Sequence, residues 1–534
     1  MTIIDRPALL PDIFMRWFAS RGWTPRAHQL ELLATARAGR SALLIAPTGG
    51  GKTLAGFLPS LVDLAGANRA AWRSRGLHTL YISPLKALAV DIARNLEIPV
   101  AGMALPIRIE TRTGDTPASK RQRQRRHPPD MLLTTPEQLA LLLASADAPY
   151  LFGTLRRIVL DELHALVTSK RGDLLSLGLA RLFRITPELT SIGLSATVAE
   201  PDDLCRFMVP QRQGPARADL ILAEGGAPPQ VTMLDSDEHL PWAGHSARYA
   251  LAELYALIKA HRTTLVFVNT RSQAEGIFQD LWHLNDDNLA IALHHGSLDV
   301  TQRRKVEAAM AAGRLRAVVC TSSLDLGVDW GDVDLVINVG APKGASRLLQ
   351  RIGRANHRMD EPSKGVLVPA NRFEVLECRA ALDAVAENAQ DTPASRIGAL
   401  DVLAQHVLGC ACAAPFLADE LYREVATAAP YRIDPRRFRR RGRFRRHRRL
   451  CAQSLRALRP HPSRQRRMLA DRASGRGATL PAQCRHHRRS RYAQSAAGAL
   501  AGLEADPARR PPPWRSRGIF HRNAGARRHL RVCR

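Results

Sequence analysis

The chain has 534 residues, 45% of them hydrophobic, which is too long for one core and fits about three or four domains. Its formal net charge is +29, yet 30 arginines, no lysine and three acids (Asp471, Glu504, Asp506) fall in residues 435–534, leaving 48 basic against 46 acidic residues in 1–434. A uniformly basic nucleic-acid coat is thereby excluded, and so is a helical membrane anchor, because no apolar run approaches the ~18 to 20 residues a span needs.

The first 18 residues scatter charges through their apolar positions and make a poor signal peptide. The eight cysteines (205, 320, 378, 410, 412, 451, 484 and 533) lack paired metal spacing, Cys410 and Cys412 forming a lone C-x-C, so they read as reduced thiols of a cytoplasmic protein without a membrane partner.

Residues 41–53 (SALLIAPTGGGKT) organise the rest. An apolar run of strand length enters a turn rich in glycine and then a helix, the arrangement in which backbone N–H groups close around phosphate oxygens. Thr48, Gly49, Gly50 and Gly51 form the loop, Lys52 brings a positive charge to the triphosphate of ATP, and Thr53 supplies a hydroxyl to Mg²⁺. Ala46 stands where the general pattern has its first glycine. Upstream, Gln29 in WTPRAHQ carries both a donor and an acceptor for an adenine edge, although a surface glutamine at a helix start is also common.

Further strands follow at 79–83 and 131–137, the first ending in Pro84-Leu85-Lys86. Thr113 in TGDT and Thr135 in TTPE sit where hydroxyls serve either phosphodiester contacts or helix N-caps, and the two roles are compatible. The run at 120–126 (KRQRQRR) reads as an exposed basic face. At 155–164 (LRRIVLDELH) a strand delivers Asp161, placed to hold the Mg²⁺ shell, and Glu162, placed to polarise the attacking water. Ser195 and Thr197 close another strand and can link the nucleotide site to whatever lies across the sheet edge. After turn-rich polar sequence, strands at 264–269, 290–295, 316–322 and 335–340 give a second alternating pattern, so two parallel-sheet domains in tandem are expected. In 350–358 (QRIGRANHR), Arg351 and Arg354 share a helix face suited to a γ-phosphate held by the other domain.

With APTGGGKT, DELH, SAT and QRIGR in this order, the chain resembles the DExH helicases of superfamily 2. SPLKALAVD, TGDT, TTPEQL, KRGDLL, PWAGH, HHGSL, CTSSLDLGVDWGDVD and QRIGRANH resemble the large helicase-related (Lhr) family, best its bacterial branch of DNA-ligase-associated DEXH-box helicases, over about residues 10–430. The resemblance implies two RecA-like domains, with adenine on Gln29 and the γ-phosphate on Gln350, Arg351 and Arg354. It assigns coupling to His164, Ser195 and Thr197, and nucleic-acid contact to Lys86, Thr135 and Thr321. One departure is that His357 stands at the position of a third arginine, with Arg358 beside it. The implied activity is ATP-driven 3′-to-5′ movement on single-stranded DNA with duplex unwinding in DNA repair, and a DNA ligase as a partner by analogy. An RNA-directed DExH ATPase and an inactive remnant that only binds nucleic acid are the alternatives.

The expected division is a first RecA-like domain at 1–210, a linker at 211–244, a second RecA-like domain at 245–395, a partial winged helix at 396–434 and an arginine-rich tail at 435–534. The tail lacks hydrophobic periodicity. A disordered nucleic-acid tail is one reading. The other, ranked first, is a frameshift near 434–436, because permitted codons for 437–462 read one base out of phase give ADFDAVVDFVATGGYALKAFERFARI, an amphipathic segment similar to the family's winged helix.

Overall fold

Apolar runs of four or five residues with every side chain buried are satisfied in the middle of a sheet covered on both faces, and the chain supplies many of them. The computed structural model describes residues 9–431 apart from 48, 67–75, 197, 213, 224, 226, 237, 245, 326–332, 357–360, 388, 390 and 392–396. Thr48, Thr197, His357, Arg358, the LGVDW run, the tail and the proposed frame change lie outside the described residues.

The first sheet contains β1 (Ala42–Ile45), β2 (Thr79–Ile82), β3 (Ile109–Arg112), β4 (Met131–Thr134), β5 (Arg157–Leu160), β6 (Thr190–Ser195) and β7 (Asp219–Leu222). Their order is β3-β4-β2-β5-β6-β1-β7, and every neighbouring pair is parallel. The second sheet contains β8 (Gln230–Met233), β9 (Thr264–Val268), β10 (Ile291–His294), β11 (Ala317–Cys320), β12 (Leu335–Val339) and β13 (Lys364–Val368), ordered β10-β11-β9-β12-β13-β8 and again parallel.

Alternation along β1 sends Leu44 into one core and Leu43 with Ile45 into the other, so helices cover both faces. On the Leu44 side the helix Lys52–Ala65 presses Phe57 against Tyr81 of β2, with ring centroids 5.3 Å apart. Gly56 permits that approach, since a Cβ there would stand 2.9 Å from a methyl of Leu194.

Residues 211–244 depart from the expected linker. They hold β7 and β8, the edge strands of the first and second sheets. Both edges are only partly buried, so their short apolar stretches lack the all-buried signature of the inner strands.

Beyond the second sheet the chain returns to the first domain. Helices Leu400–Ala413 and Ala418–Val425 lie against the helix Lys170–Ile185. Lys170 Nζ donates to Asp401 at 2.6 Å, the Ala399 amide donates to the buried Asp173 carboxylate at 3.0 Å, and Glu424 Oε2 accepts from Arg181 at 2.9 Å and Arg184 at 3.0 Å. The KRGDLL segment therefore holds the C-terminal helices.

Candidate nucleotide and nucleic-acid site

The strand order sorts the site residues into two groups. At the carboxyl ends of β1, β5 and β6, adjacent in the sheet, stand the glycine loop, Asp161 with Glu162, and Ser195. Past the ends of the neighbouring β3, β4 and β2 come Thr113, Thr135 and Lys86. A nucleotide crevice and a second strip for an extended ligand thus share one sheet edge, the edge where parallel α/β sheets take ligands.

The loop is gripped from behind. Arg26 Nη1 donates to Gly49 O at 3.4 Å, His28 Nε2 lies 2.9 Å from Gly50 O, and Gln29 Nε2 donates to Gly51 O at 3.4 Å. Three consecutive carbonyls are thereby engaged by one short segment. Gln29 Oε1 also accepts from the Arg26 amide at 3.0 Å, so Gln29 braces the loop as well as standing beside the nucleotide crevice. Arg26 and His28 were not singled out from sequence, where nothing distinguishes them from surface residues.

Gly51 has φ +70° and precedes the helix that begins at Lys52. A Cβ there would lie 2.8 Å from Gln29 Nε2. Glycine takes this left-handed conformation without strain, and with the positive end of the helix behind it the donor set suits the phosphates of a nucleotide. Gly51→Ala is expected to weaken ATP binding roughly 5- to 30-fold, the equivalent of the ~1 to 2 kcal/mol of left-handed strain. A fluorescent-nucleotide titration checks it, and unchanged affinity would refute this role for Gly51.

Lys52 Nζ donates to Ala46 O at 2.7 Å and Pro47 O at 3.0 Å. Burial lowers its pKa, opposed by Glu162 and Asp161 and reinforced by Arg354. Thr53 lies half-buried in the first turn of the same helix. Its hydroxyl and the Asp161 carboxylate are hard oxygen donors of the kind Mg²⁺ takes.

Asp161 accepts from Tyr81 OH at 2.5 Å and from the Glu162 amide at 2.9 Å. Burial, and then Glu162, push its pKa up to about 6. Glu162 goes the other way: burial would raise it, but His164, Lys52 and Arg354 together outweigh that and hold it ionised. Its backbone is left-handed, φ +46°. A glutamate there costs about 1 to 3 kcal/mol, a strain that marks functional residues. Tyr81 was missed from sequence because a tyrosine in a strand reads as core.

Two of the expected coupling residues, His164 and Ser195, meet. His164 Nδ1 is 3.0 Å from Ser195 Oγ and 3.3 Å from the Ala196 amide, which donates to it. His164 Nε2 lies 3.3 Å from Glu162 Oε2 and 2.5 Å from the Gln350 side-chain amide. Gln350 belongs to the helix Ala345–Ile352 of the second domain, so one imidazole touches the Glu162 carboxylate, the end of β6 and the opposite domain.

The two arginines separate. Arg351 is buried within the second domain: Nε donates to Asp325 at 3.0 Å, Nη1 donates to Asn338, and the guanidinium lies 5.0 Å from the Phe267 ring centroid. In this arrangement the side chain is committed to that interior. Arg354 is the arginine whose charge acts on Lys52, Glu162 and His164.

Of the nucleic-acid residues, Lys86 is exposed and pairs with Asp115 of the TGDT turn at 3.1 Å. Thr113 Oγ1 accepts from the Asp115 amide at 3.3 Å, which ties it to the turn. Thr135 is at the N-cap position of the helix Pro136–Leu143 but makes no side-chain cap bond. Thr321 follows β11, and its amide donates to His294 O at 3.3 Å. The basic run at 120–126 is more committed than expected, with Arg121 donating to the carbonyls of Thr113 and Gly114, and Arg123 and Arg125 paired with Glu110 and Asp147.

Residues 26–204 match the DEAD/DEAH box helicase family model, and residues 248–359 match the helicase conserved C-terminal domain. The chain is 36% identical to the Lhr helicase/probable uracil glycosylase of Mycolicibacterium smegmatis over 79% of its own length and 30% of the relative's. It is 38% identical to the ATP-dependent helicase Lhr-Core of Methanothermobacter thermautotrophicus over 74% of its length and 47% of the relative's. The solved structure of Mycobacterium smegmatis helicase Lhr bound to ssDNA and AMP-PNP is similar at TM-score 0.72 and 36% identity, over 81% of this chain and 57% of that one. DUF1998 helicase MrfA bound to DNA, at 23% identity and TM-score 0.63, shares the fold. The chain spans about a third to a half of the length of the curated relatives it matches. The fold is therefore two tandem RecA-like parallel-sheet domains.

Proposed function

Because the chain belongs to the large helicase-related (Lhr) family of superfamily 2, we propose that it is an ATP-dependent 3′-to-5′ DNA helicase or translocase that couples hydrolysis to movement along single-stranded DNA and to duplex unwinding in DNA repair. The observation that carries this reading is the contact of Gln350 with His164, which joins the second domain to the catalytic carboxylate of the first. Bound Mg²⁺–ATP supplies the phosphoanhydride bond to be broken and the cation that neutralises its oxygens. Gly49 to Lys52 bind the phosphates. Thr53 and Asp161 would hold the Mg²⁺, Asp161 with its carboxylate oriented by Tyr81. Glu162, kept ionised, takes the proton of the attacking water. Arg354 reaches the γ-phosphate from the second domain, and His164 reports the state of that site to Gln350 and Ser195.

Single-stranded DNA is the proposed ligand of the strip formed by Lys86, Thr113 and Thr135, with Thr321 from the second domain. A relative in the same family was solved with ssDNA and a nucleotide, which supports that choice. The finer motifs of the ligase-associated branch make a DNA ligase the candidate protein partner. The test is ATP turnover with poly-dT or poly-U added, followed by displacement of a labelled strand from duplexes with 3′ or 5′ tails. DNA stimulation and unwinding only from the 3′ tail are expected. Stimulation by RNA alone would replace the DNA reading with an RNA-directed ATPase.

A further inference from the structure

We infer that His406, Cys410 and Glu424 form a site for Zn²⁺ or a similar borderline-soft cation, and that the ion pins the two C-terminal helices together on the first domain. His406 and Cys410 are four residues apart on the helix Leu400–Ala413 and so share one face, while Glu424 comes from the helix Ala418–Val425. All three are buried, and one donor atom of each lies within 4.8 Å of the others. Cys412, two residues from Cys410, is exposed.

The distances are compatible with a bridging ion as well as with direct contacts. His406 Nε2 is 3.5 Å from Cys410 Sγ and 3.6 Å from Glu424 Oε1. A tetrahedral Zn²⁺ sets nitrogen, sulfur and oxygen ligands about 3.4 to 3.6 Å apart. Glu424 Oε1 has no hydrogen-bond partner among the described residues, although the side chain is fully buried. His406 Nε2 meets it only at ion-pair distance, 3.6 Å, which leaves room for a cation between them.

The second oxygen is fixed. Glu424 Oε2 accepts from Arg181 at 2.9 Å and from Arg184 at 3.0 Å, which sets the carboxylate plane and aims Oε1 at the imidazole and thiol. Two guanidinium groups disfavour a nearby cation, but a thiolate and a carboxylate bring two negative charges to it. A thiolate, an imidazole and a carboxylate together select Zn²⁺ over the hard cations Mg²⁺ and Ca²⁺. Three protein ligands leave the fourth position to solvent. The physical purpose follows from size, because two helices of 14 and eight residues bury little core of their own and gain from a staple.

The test uses the full chain purified without chelator. Metal analysis is expected to find one zinc per chain, and exchange for Co²⁺ to give the thiolate-to-metal charge-transfer absorption of a single cysteine ligand. Cys410→Ser should lose that absorption and bind more than about a hundredfold more weakly. Cys412→Ser should keep both. His406→Asn should weaken binding while keeping the thiolate band at saturating Co²⁺, which separates ligand loss from misfolding. A wild-type chain that takes up no metal, or a band that survives Cys410→Ser or vanishes in Cys412→Ser, would leave His406 and Glu424 as a plain buried ion pair and overturn the proposal.

Discussion

Lys52→Ala is expected to abolish ATP hydrolysis, by about a thousandfold or more, while the protein stays folded. The lysine is half-buried at the start of the helix behind the glycine loop, and its ammonium bonds to two carbonyls of that loop rather than packing in a core. Losing it forfeits contacts a small residue can leave without a cavity, because the loop is braced independently by Arg26, His28 and Gln29. What disappears is a positive charge set beside Glu162 and Asp161 in a water-poor crevice, where electrostatic effects on phosphoryl transfer are largest. The measurement is phosphate release under saturating ATP, with the thermal unfolding midpoint as control. Glu162→Gln gives the complementary result: nucleotide binding close to that of the wild type, with turnover reduced about 10²- to 10⁴-fold because no carboxylate accepts the water proton. Wild-type turnover in the Lys52 variant would remove the site assignment altogether.

The parts of this site legible in the sequence are those where one residue type at one spacing has one physical use. The loop at 47–53 needs glycine for its backbone and a lysine at the helix start. Asp161 and Glu162 end a fully buried strand, so their charges have to face a ligand. The inner strands announce themselves because a run such as Leu265 to Val268 is apolar throughout. Three of the four edge strands do not: β3, β7 and β8 are each partly exposed, and residues 211–244 accordingly resemble a linker although they complete both sheets. Pairings between distant residues stay hidden for another reason. That Tyr81 meets Asp161, or that Glu424 meets His406 and Cys410, depends on which helix or strand lies alongside, and no local pattern encodes it.

The same limit explains the two arginines, and they yield the second large prediction. Arg351 and Arg354 are three residues apart, and helical spacing alone gives both a claim on the γ-phosphate. Both are buried, and their partners decide between them. Arg351 is 2% exposed and held by Asp325 and Asn338, residues far enough away in sequence that their approach cannot be read from spacing. Arg351→Ala would leave Asp325, itself 4% exposed, without its main partner in an apolar interior. Removing one side of such a buried pair costs about 3 to 5 kcal/mol, so this variant is expected to lose stability first and activity as a consequence. Arg354→Ala should do the reverse. Its charge bears on Lys52 and Glu162 across the cleft, and loss of an arginine finger lowers turnover by roughly 10³ to 10⁵. Unfolding followed by denaturant, measured alongside ATPase rate, distinguishes them: a lower midpoint for the Arg351 variant, and a near-normal midpoint with almost no turnover for the Arg354 variant. If Arg351→Ala instead folds normally and is inactive, the guanidinium must leave Asp325 to reach the phosphate during the cycle, and the arrangement described here would be the resting position of a finger rather than a structural tie.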